Sequence, residues 1–511
     1  MKTIFKLTGI ASVLLFAVGC SEEFLEKQPT QFLTTEQIGE AAEKNPDVVA
    51  GTMNGIYALT VQTGTGGTTN HDDFGHKGYD IFGDMLSGDM ALSVSGYGWY
   101  RADITEFNAP LDFTRQRNYM VWRYYYRIIR SANTVIDALG GNDAEITNEE
   151  NRQIMGQAKA IRAHSYFYLA QYFSNSYNPS SEILPLYTSL ADVNGPKVAT
   201  SVIYDLIEDD LTEAITLLDG FNRAGKNQIN KSVAQGILAY VYGVQERWSE
   251  VQALTNDVIM TGGFNLMSQE EVVRMMHDGP DTTPYGGGFN DLSTSGWMWG
   301  VDITSDLNLA LVSWWGQVDR FTYSYAWAGD AKAMDADLYS EIPANDVRKR
   351  QFQAPTGGYA DLMPLNKFFD PNRVIGGQNP VTTDYVFMRV SEMYLLNAEA
   401  AARLGMDGAA QASLAVLLKE RLLEEDSFVD TYVAGLSGQR LIDEIYLQTR
   451  IELWGEGKSY LAMKRNKATI KRGANHLSFV GVEMAYDDER LTFEIPEQEI
   501  IDNPFINTQN N

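Results

Sequence analysis

Residues 387–405 read FMRVSEMYLLNAEAAARLG, and this stretch decides the fold. Val390, Met393, Tyr394, Asn397, Ala401 and Leu404 recur at three- and four-residue intervals, the spacing of one helix face. Gly405 ends that helix, and residues 407–423 return. Small residues (Ala398, Ala400, Ala401, Ala402, Ala409, Ala410, Ala412) let the two helices approach closely. Residues 231–261 repeat the plan. Ala234, Ile237, Leu238 and Val241 form a face, Glu246-Arg247-Trp248-Ser249 makes a turn, and residues 250–261 return. A helix, short turn and helix of about 34 residues has the period of a tetratricopeptide-like array. No such unit buries its apolar face alone, so the units must stack.

Further helices are predicted outward from these pairs. Residues 117–138 set Val121, Tyr124, Tyr125, Ile128, Ile129 and Val135 near one face, and residues 152–174 form a second amphipathic helix. After a stretch holding Pro179, Pro185 and Pro196, residues 201–218 repeat the pattern with Ile203, Leu206, Ile207, Leu211, Ala214 and Leu218. The expected class is mainly α, with a helical scaffold over about 115–275 and 383–470. Two regions break the rhythm. Residues 60–113 are rich in Gly, Thr and Asp, and residues 277–383 hold Gly286-Gly287-Gly288 and the prolines 280, 284, 343, 355, 364, 371 and 380. Both are too long to be mere connections and are expected to carry function. Their aromatic content argues against disorder.

The N-terminus reads as an export signal over residues 1–19. Lys2 and Lys6 are followed by an apolar run from Ile10 to Val18, then Gly19 and Cys20. The run is shorter than the roughly 20 apolar residues a membrane-spanning helix needs. Cys20 is the single cysteine in 511 residues, which excludes an internal disulfide and marks it as a candidate lipidation site. At roughly 150 residues per domain the length suggests about three domains, unless repeats build one continuous body, and residues 20–511 are read as one body.

The formal charge is −27. No Lys/Arg cluster stands out against it, which argues against nucleic acid as a partner. Signatures of catalysis are also missing. The five histidines form no HExxH pair, and His71-Asp72-Asp73 with His76 fits no standard metal spacing. Gly457-Lys458-Ser459 looks like the end of a phosphate loop, but Glu452 stands where the first glycine is required. No GxSxG elbow is present. Asp72, Asp73, Asp84 and Asp89 could in principle supply a glycosidase pair, but read as solvated surface acids. No catalytic residue, metal or cofactor is predicted.

Binding is the better expectation. An open site needs flat apolar faces and a few polar groups for orientation. Ser95-Gly-Tyr-Gly-Trp-Tyr-Arg101 sets Tyr97, Trp99 and Tyr100 in a loop whose glycines favour exposed rings, and Trp99 is the first candidate. A second cluster holds Trp297, Trp299, Trp314, Trp315, Tyr323, Tyr325 and Trp327. Within it Trp299 reads as packed and Trp314 and Trp315 as partly exposed. Phe321, Tyr323 and Tyr325 alternate like a short strand with one face in the core.

Three segments in order, 387–405, 450–465 (RIELWGEGKSYLAMKR) and 492–510 (TFEIPEQEIIDNPFINTQN), resemble the SusD/RagB family of Bacteroidetes outer-membrane nutrient-binding lipoproteins. Asn54-Gly55-Ile56-Tyr57, the stretch from Trp122 to Asn133 and the start Cys20-Ser21-Glu22-Glu23-Phe24-Leu25 are similar to it too. The closing IP-x-x-E-x-x-x-NP pattern is the most specific piece. Ala17 stands where the lipobox of bacterial lipoproteins has leucine most often, Gln448-Thr449 where the family usually has Glu-Arg, and Ala462 where it often has Asp. The resemblance implies a tetratricopeptide superhelix with an irregular ligand-binding half and a lipid at Cys20. It further implies cell-surface display, through the acidic residues after Cys20, and a SusC-type TonB-dependent transporter as partner. The implied ligand is an oligosaccharide, or in some relatives a peptide, stacked on aromatics of the loop near Trp99. A helical scaffold without small ligand is a third reading. Arg389, Glu392 and Glu399 are expected to pair or cap within the helix array.

Overall fold

A computed structural model describes residues 47–276, 284–320, 322–368 and 381–510. Cys20, the signal over residues 1–19 and Phe321 lie outside the described residues. The helices of seven or more residues are α1 Asp47–Leu59, α2 His76–Leu86, α3 Gln116–Ala138, α4 Glu149–Tyr172, α5 Thr200–Leu217, α6 Lys231–Val244 and α7 Trp248–Thr261. They continue with α8 Val390–Arg403, α9 Asp407–Lys419, α10 Asp426–Ala434, α11 Gln439–Glu452 and α12 Ser459–Arg465. From α3 to α10 each helix packs on the next. The array therefore runs unbroken from α7 to α8, although the intervening chain leaves it for the irregular region. Helices α4 and α6 start on polar side-chain caps: Asn148 accepts from the Asn151 N–H at 2.9 Å, and Asn230 from the Val233 N–H at 3.1 Å. Among the described residues no helix is long and apolar enough to cross a membrane.

Polar side chains pin neighbouring layers together. Asn397 on α8 donates to the Thr255 hydroxyl at 3.0 Å and to Asn256 at 2.9 Å on α7. Arg162 on α4 forks onto Asp210 of α5 at 2.8 and 2.7 Å and reaches Asn133 of α3 at 2.8 Å. Glu392 caps the start of α8 by accepting the Arg389 N–H at 2.7 Å. Glu399 instead pairs across helices, with Arg465 of α12 at 2.8 Å.

The largest ionic group sits where α8 begins and α9 and α11 end, against the Val347–Gln351 turn. Glu452 takes Arg389 at 2.9 Å, Arg421 at 2.8 Å and Arg348 at 3.2 Å. Glu456 takes Arg389 at 2.7 Å and Lys367 at 2.8 Å, while Asp346 holds Arg348 at 2.6 Å. Every member is buried. Burial alone would raise the Glu452 carboxyl, but the guanidiniums, Arg421 foremost, hold it well below the usual carboxylate range. Burial lowers Lys367 to about 8 against the opposing pull of Glu456.

The region 60–113 differs from its expected loop character. It contains α2, whose residues are all buried, with Lys77 paired to Asp80 at 3.0 Å. Asp72, Asp73, Asp84 and Asp89 are correspondingly not solvated surface acids; all four are buried. Asp72 holds Arg117 at 2.9 Å and Asp89 holds Arg450 at 2.6 Å. Asp73 accepts the N–H groups of Gly66 and Thr68 at 2.8 and 3.0 Å, closing the Gly-rich turn. Asp84 lies beside Asp80, and burial followed by that repulsion raises its carboxyl well above the usual range.

Lys464 on α12 offers a pH test of this interior. Its ammonium donates to the carbonyls of Gln171 and Ser174 at 2.5 Å, and burial lowers it to about 7. Between about 7 and the ordinary lysine value of about 10.4, the unfolded chain binds the proton that the folded one has released. Stability from this group therefore rises with pH across that window. Wild type should gain on Lys464→Met as pH rises from about 7 to about 9 in thermal melts; parallel melting curves would refute it.

Candidate ligand-binding site

Two irregular segments meet through a short ladder. Met90–Leu92 pairs antiparallel with Lys332–Met334, Met90 opposite Met334. The pairing continues outward as Ser93 N–H to Ala331 O and Gly96 N–H to Gly329 O, both 2.9 Å. Beyond it the buried Asp330 carboxylate accepts the Tyr97 N–H at 2.8 Å. These contacts set the 95–100 loop against the short helix Tyr325–Ala328, whose cap is Ser324 accepting the Trp327 N–H at 2.9 Å.

An aromatic face results. Trp99 is half-buried and stacks on His71, ring centroids 5.3 Å apart and planes 8° apart. Tyr325 meets both edge-on, at 5.7 Å from His71 and 5.9 Å from Trp99, and Tyr97 at 5.2 Å. The Arg117 guanidinium lies 5.9 Å from the Trp99 ring centre and is fixed by Asp72 and by Asp103 at 3.1 Å. Tyr97 is 60% exposed, and Tyr323 and Trp327 are 39% and 40% exposed, so their ring faces are open to a ligand. Tyr323 and Trp327 also touch each other at 5.9 Å. Burial raises the Tyr325 hydroxyl, with a hydrogen bond to the Trp99 side chain opposing it.

Of the candidates read from the sequence, Trp99 and Tyr97 lie on this face and three do not. Tyr100 has φ +69°, and this left-handed turn directs its ring inward beside Phe82 and Lys332. It is buried. Trp314 and Trp315 are buried rather than partly exposed. They start a one-turn helix capped by Ser313, with Trp315 donating to Thr383 O at 2.9 Å and Trp314 packed on Phe368 at 4.2 Å. Gly316 between these Trp residues and Gln317 has no room for a Cβ, which would sit 2.3 Å from Leu311 O. This turn supports the face from beneath: Gln317 donates to His71 O at 2.7 Å and accepts from Lys332 at 3.0 Å. Burial lowers Lys332 to about 8.

The expected strand over Phe321, Tyr323 and Tyr325 is instead a capped turn, at least from Ser324 onward. Trp299 is packed as expected, and Trp297 is buried with it, in the strand Trp297–Val301 paired with Tyr385–Arg389. The cluster considered for a metal is committed otherwise. His71 serves the Trp99 stack, and His76 is buried among Tyr125, Tyr168 and Phe387.

The matching family models cover both halves of this arrangement. One, described as "Starch-binding associating with outer membrane", spans residues 80–242, and the other, described as "SusD family", spans 321–507. The chain belongs to the SusD/RagB family. Solved SusD relatives share the fold. A SusD-like carbohydrate binding protein from Bacteroides vulgatus superposes with a TM-score of 0.72 at 24% identity, covering 90% of this chain and 96% of that one. A SusD superfamily protein from Bacteroides thetaiotaomicron gives 0.72 at 24%, covering 91% and 99%. The curated SusD-like protein P25 of Formosa agariphila is 22% identical over 240 residues, 46% of this chain and 42% of that protein, so the match spans under half of its length. The mainly helical, tetratricopeptide-like architecture is that of these SusD structures.

Proposed function

We propose that this SusD-family protein binds an oligomeric glycan on its aromatic face and hands it to a SusC-type TonB-dependent outer-membrane transporter. Cys20 is the proposed lipid anchor, holding the body at the outer face of the outer membrane. The carrying observation is the exposed Tyr97 beside Tyr325 and the half-buried Trp99, with the exposed Tyr323 and Trp327 flanking Tyr325 in sequence. Sugar rings present C–H faces that pack on such rings, while hydroxyls take hydrogen bonds from groups at the margin. Arg117 stands at that margin. The family description "Starch-binding associating with outer membrane" and the carbohydrate-binding relative support the same reading. Exposed rings also favour glycan over peptide, whose capture relies more on backbone partners along a strand edge. The role is capture, without a chemical step.

The test is affinity electrophoresis of residues 21–511 against neutral glycans, with a peptide library in parallel. Retardation by at least one glycan, lost on Tyr97→Ala/Trp327→Ala, is the expected result. Retention of affinity in that double variant removes the site, and peptide capture without glycan capture removes the ligand class.

A further inference from the structure

A groove of about 490 Å³ lies apart from the aromatic face, between α3, the 187–194 segment and the Glu497–Asp502 turn. Arg123, Arg127 and Arg130 line it, spaced four and three residues apart on α3, and all three are exposed. At 1.5 Å of rise per residue, this row is roughly 10 Å long. None of the three has an ion-pair partner among the described residues. Arg123 lies 5.7 Å over the Tyr119 ring, donates to its hydroxyl at 3.3 Å and packs against Gly67.

The acids of the same groove are already occupied. Glu499 accepts from Trp122 at 3.1 Å and from Asn503 at 3.0 Å, and Asp502 from Gln498 at 2.7 Å. Asp192 accepts the N–H groups of Thr188 and Ser189 at 2.6 and 3.0 Å. The guanidiniums thus lack a carboxylate partner among the described residues, while the carboxylates of the groove already accept hydrogen bonds. In a chain of charge −27 the groove balances three guanidiniums on α3 against the three carboxylates Asp192, Glu499 and Asp502. The surrounding field disfavours loosely held anions, so an anion retained here needs the forked, directional grip that guanidinium gives carboxylate and sulfate. Tyr126 and Tyr187 stand in the same groove and supply faces for sugar rings. The volume suits a short oligomer.

We propose that this groove is a second glycan subsite, selective for sugars carrying carboxylate or sulfate groups. The proposal rests on the glycan reading of the protein but on different residues. Its test uses residues 21–511 with three probes: oligogalacturonate, dextran sulfate and neutral dextran. Arg123→Gln/Arg127→Gln/Arg130→Gln should weaken binding of an acidic probe by about tenfold or more, because several charge-assisted hydrogen bonds are lost. Wild-type affinity for that probe should fall as salt rises. Which acidic probe responds identifies carboxylate or sulfate as the preferred group. Equal binding of acidic probes by wild type and the triple variant overturns the subsite, as does binding of neutral dextran alone. Acidic-probe binding through the arginines, with no neutral glycan held by the aromatic face, would keep the groove and remove the first site. The substituted side chains are exposed, and matching thermal melts verify the fold.

Discussion

Glu452→Ala is expected to destabilise the protein by about 3 to 5 kcal/mol, enough to threaten the fold. Glu452 binds three buried guanidiniums with two oxygens, and its main-chain carbonyl accepts from Lys367 and Arg389 at 2.9 Å each. Removing the carboxylate leaves Arg421 with only carbonyl partners, on Met267 and Glu420, and concentrates positive charge where water cannot reach. A buried ion pair adds little over a packed apolar core, but one broken from a single side is severe. Glu452→Gln keeps the volume but loses the charge and turns one accepting oxygen into an NH2 facing guanidinium N–H groups, so it should be destabilised as well. Urea unfolding measures the series. A loss below about 1 kcal/mol for the alanine variant would mean that water or a shifted lysine proton relieves the imbalance.

Trp99→Ala carries the largest expected effect on binding, about 2 kcal/mol or roughly thirtyfold in affinity for a glycan ligand. Trp99 is held by His71 behind it, Tyr325 at its edge and Arg117 near its face, so its ring is ordered before any ligand arrives. Trp99→Phe should recover part of the loss, since it restores a flat face of smaller area. Stability should change little, because the ring is only half-buried. Titration calorimetry gives the affinities. Wild-type affinity in the alanine variant would move the site elsewhere.

Periodicity made the scaffold readable. The pairs at 231–261 and 390–419 appear within a few residues of their expected bounds, because each has one apolar face and a marked turn. Helix α2 was not readable for the converse reason. Lys77, Asp80 and Asp84 are buried in it, so a helix enclosed on all sides has the composition of a loop. The exposed rings were readable by neighbourhood and not by residue. Tyr100 is adjacent to Trp99, yet one positive φ at a non-glycine residue sends it inward, and nothing in its identity marks that turn.

Two signals were present and unused. Ser324 before Tyr325-Ala326-Trp327 is a helix-cap pattern, and Tyr323 and Trp327 are four residues apart, so a turn with both rings outward could have been inferred. Arg123, Arg127 and Arg130 likewise stand at helical spacing in the sequence, hidden by a net charge that averages over the whole chain. Gln448, the departure from the family pattern, is a hydrogen-bond partner of Arg348 at the edge of the ionic group.

The ladder between Met90–Leu92 and Lys332–Met334 also sets a timetable for biosynthesis. Its strands are three residues long and are separated by some 240 residues, so closing it joins one of the longest loops in the chain. A nascent polypeptide halted before residue 334 would have Trp99 and no partner segment. Affinity would therefore emerge late, once the chain through residue 334 can close the ladder.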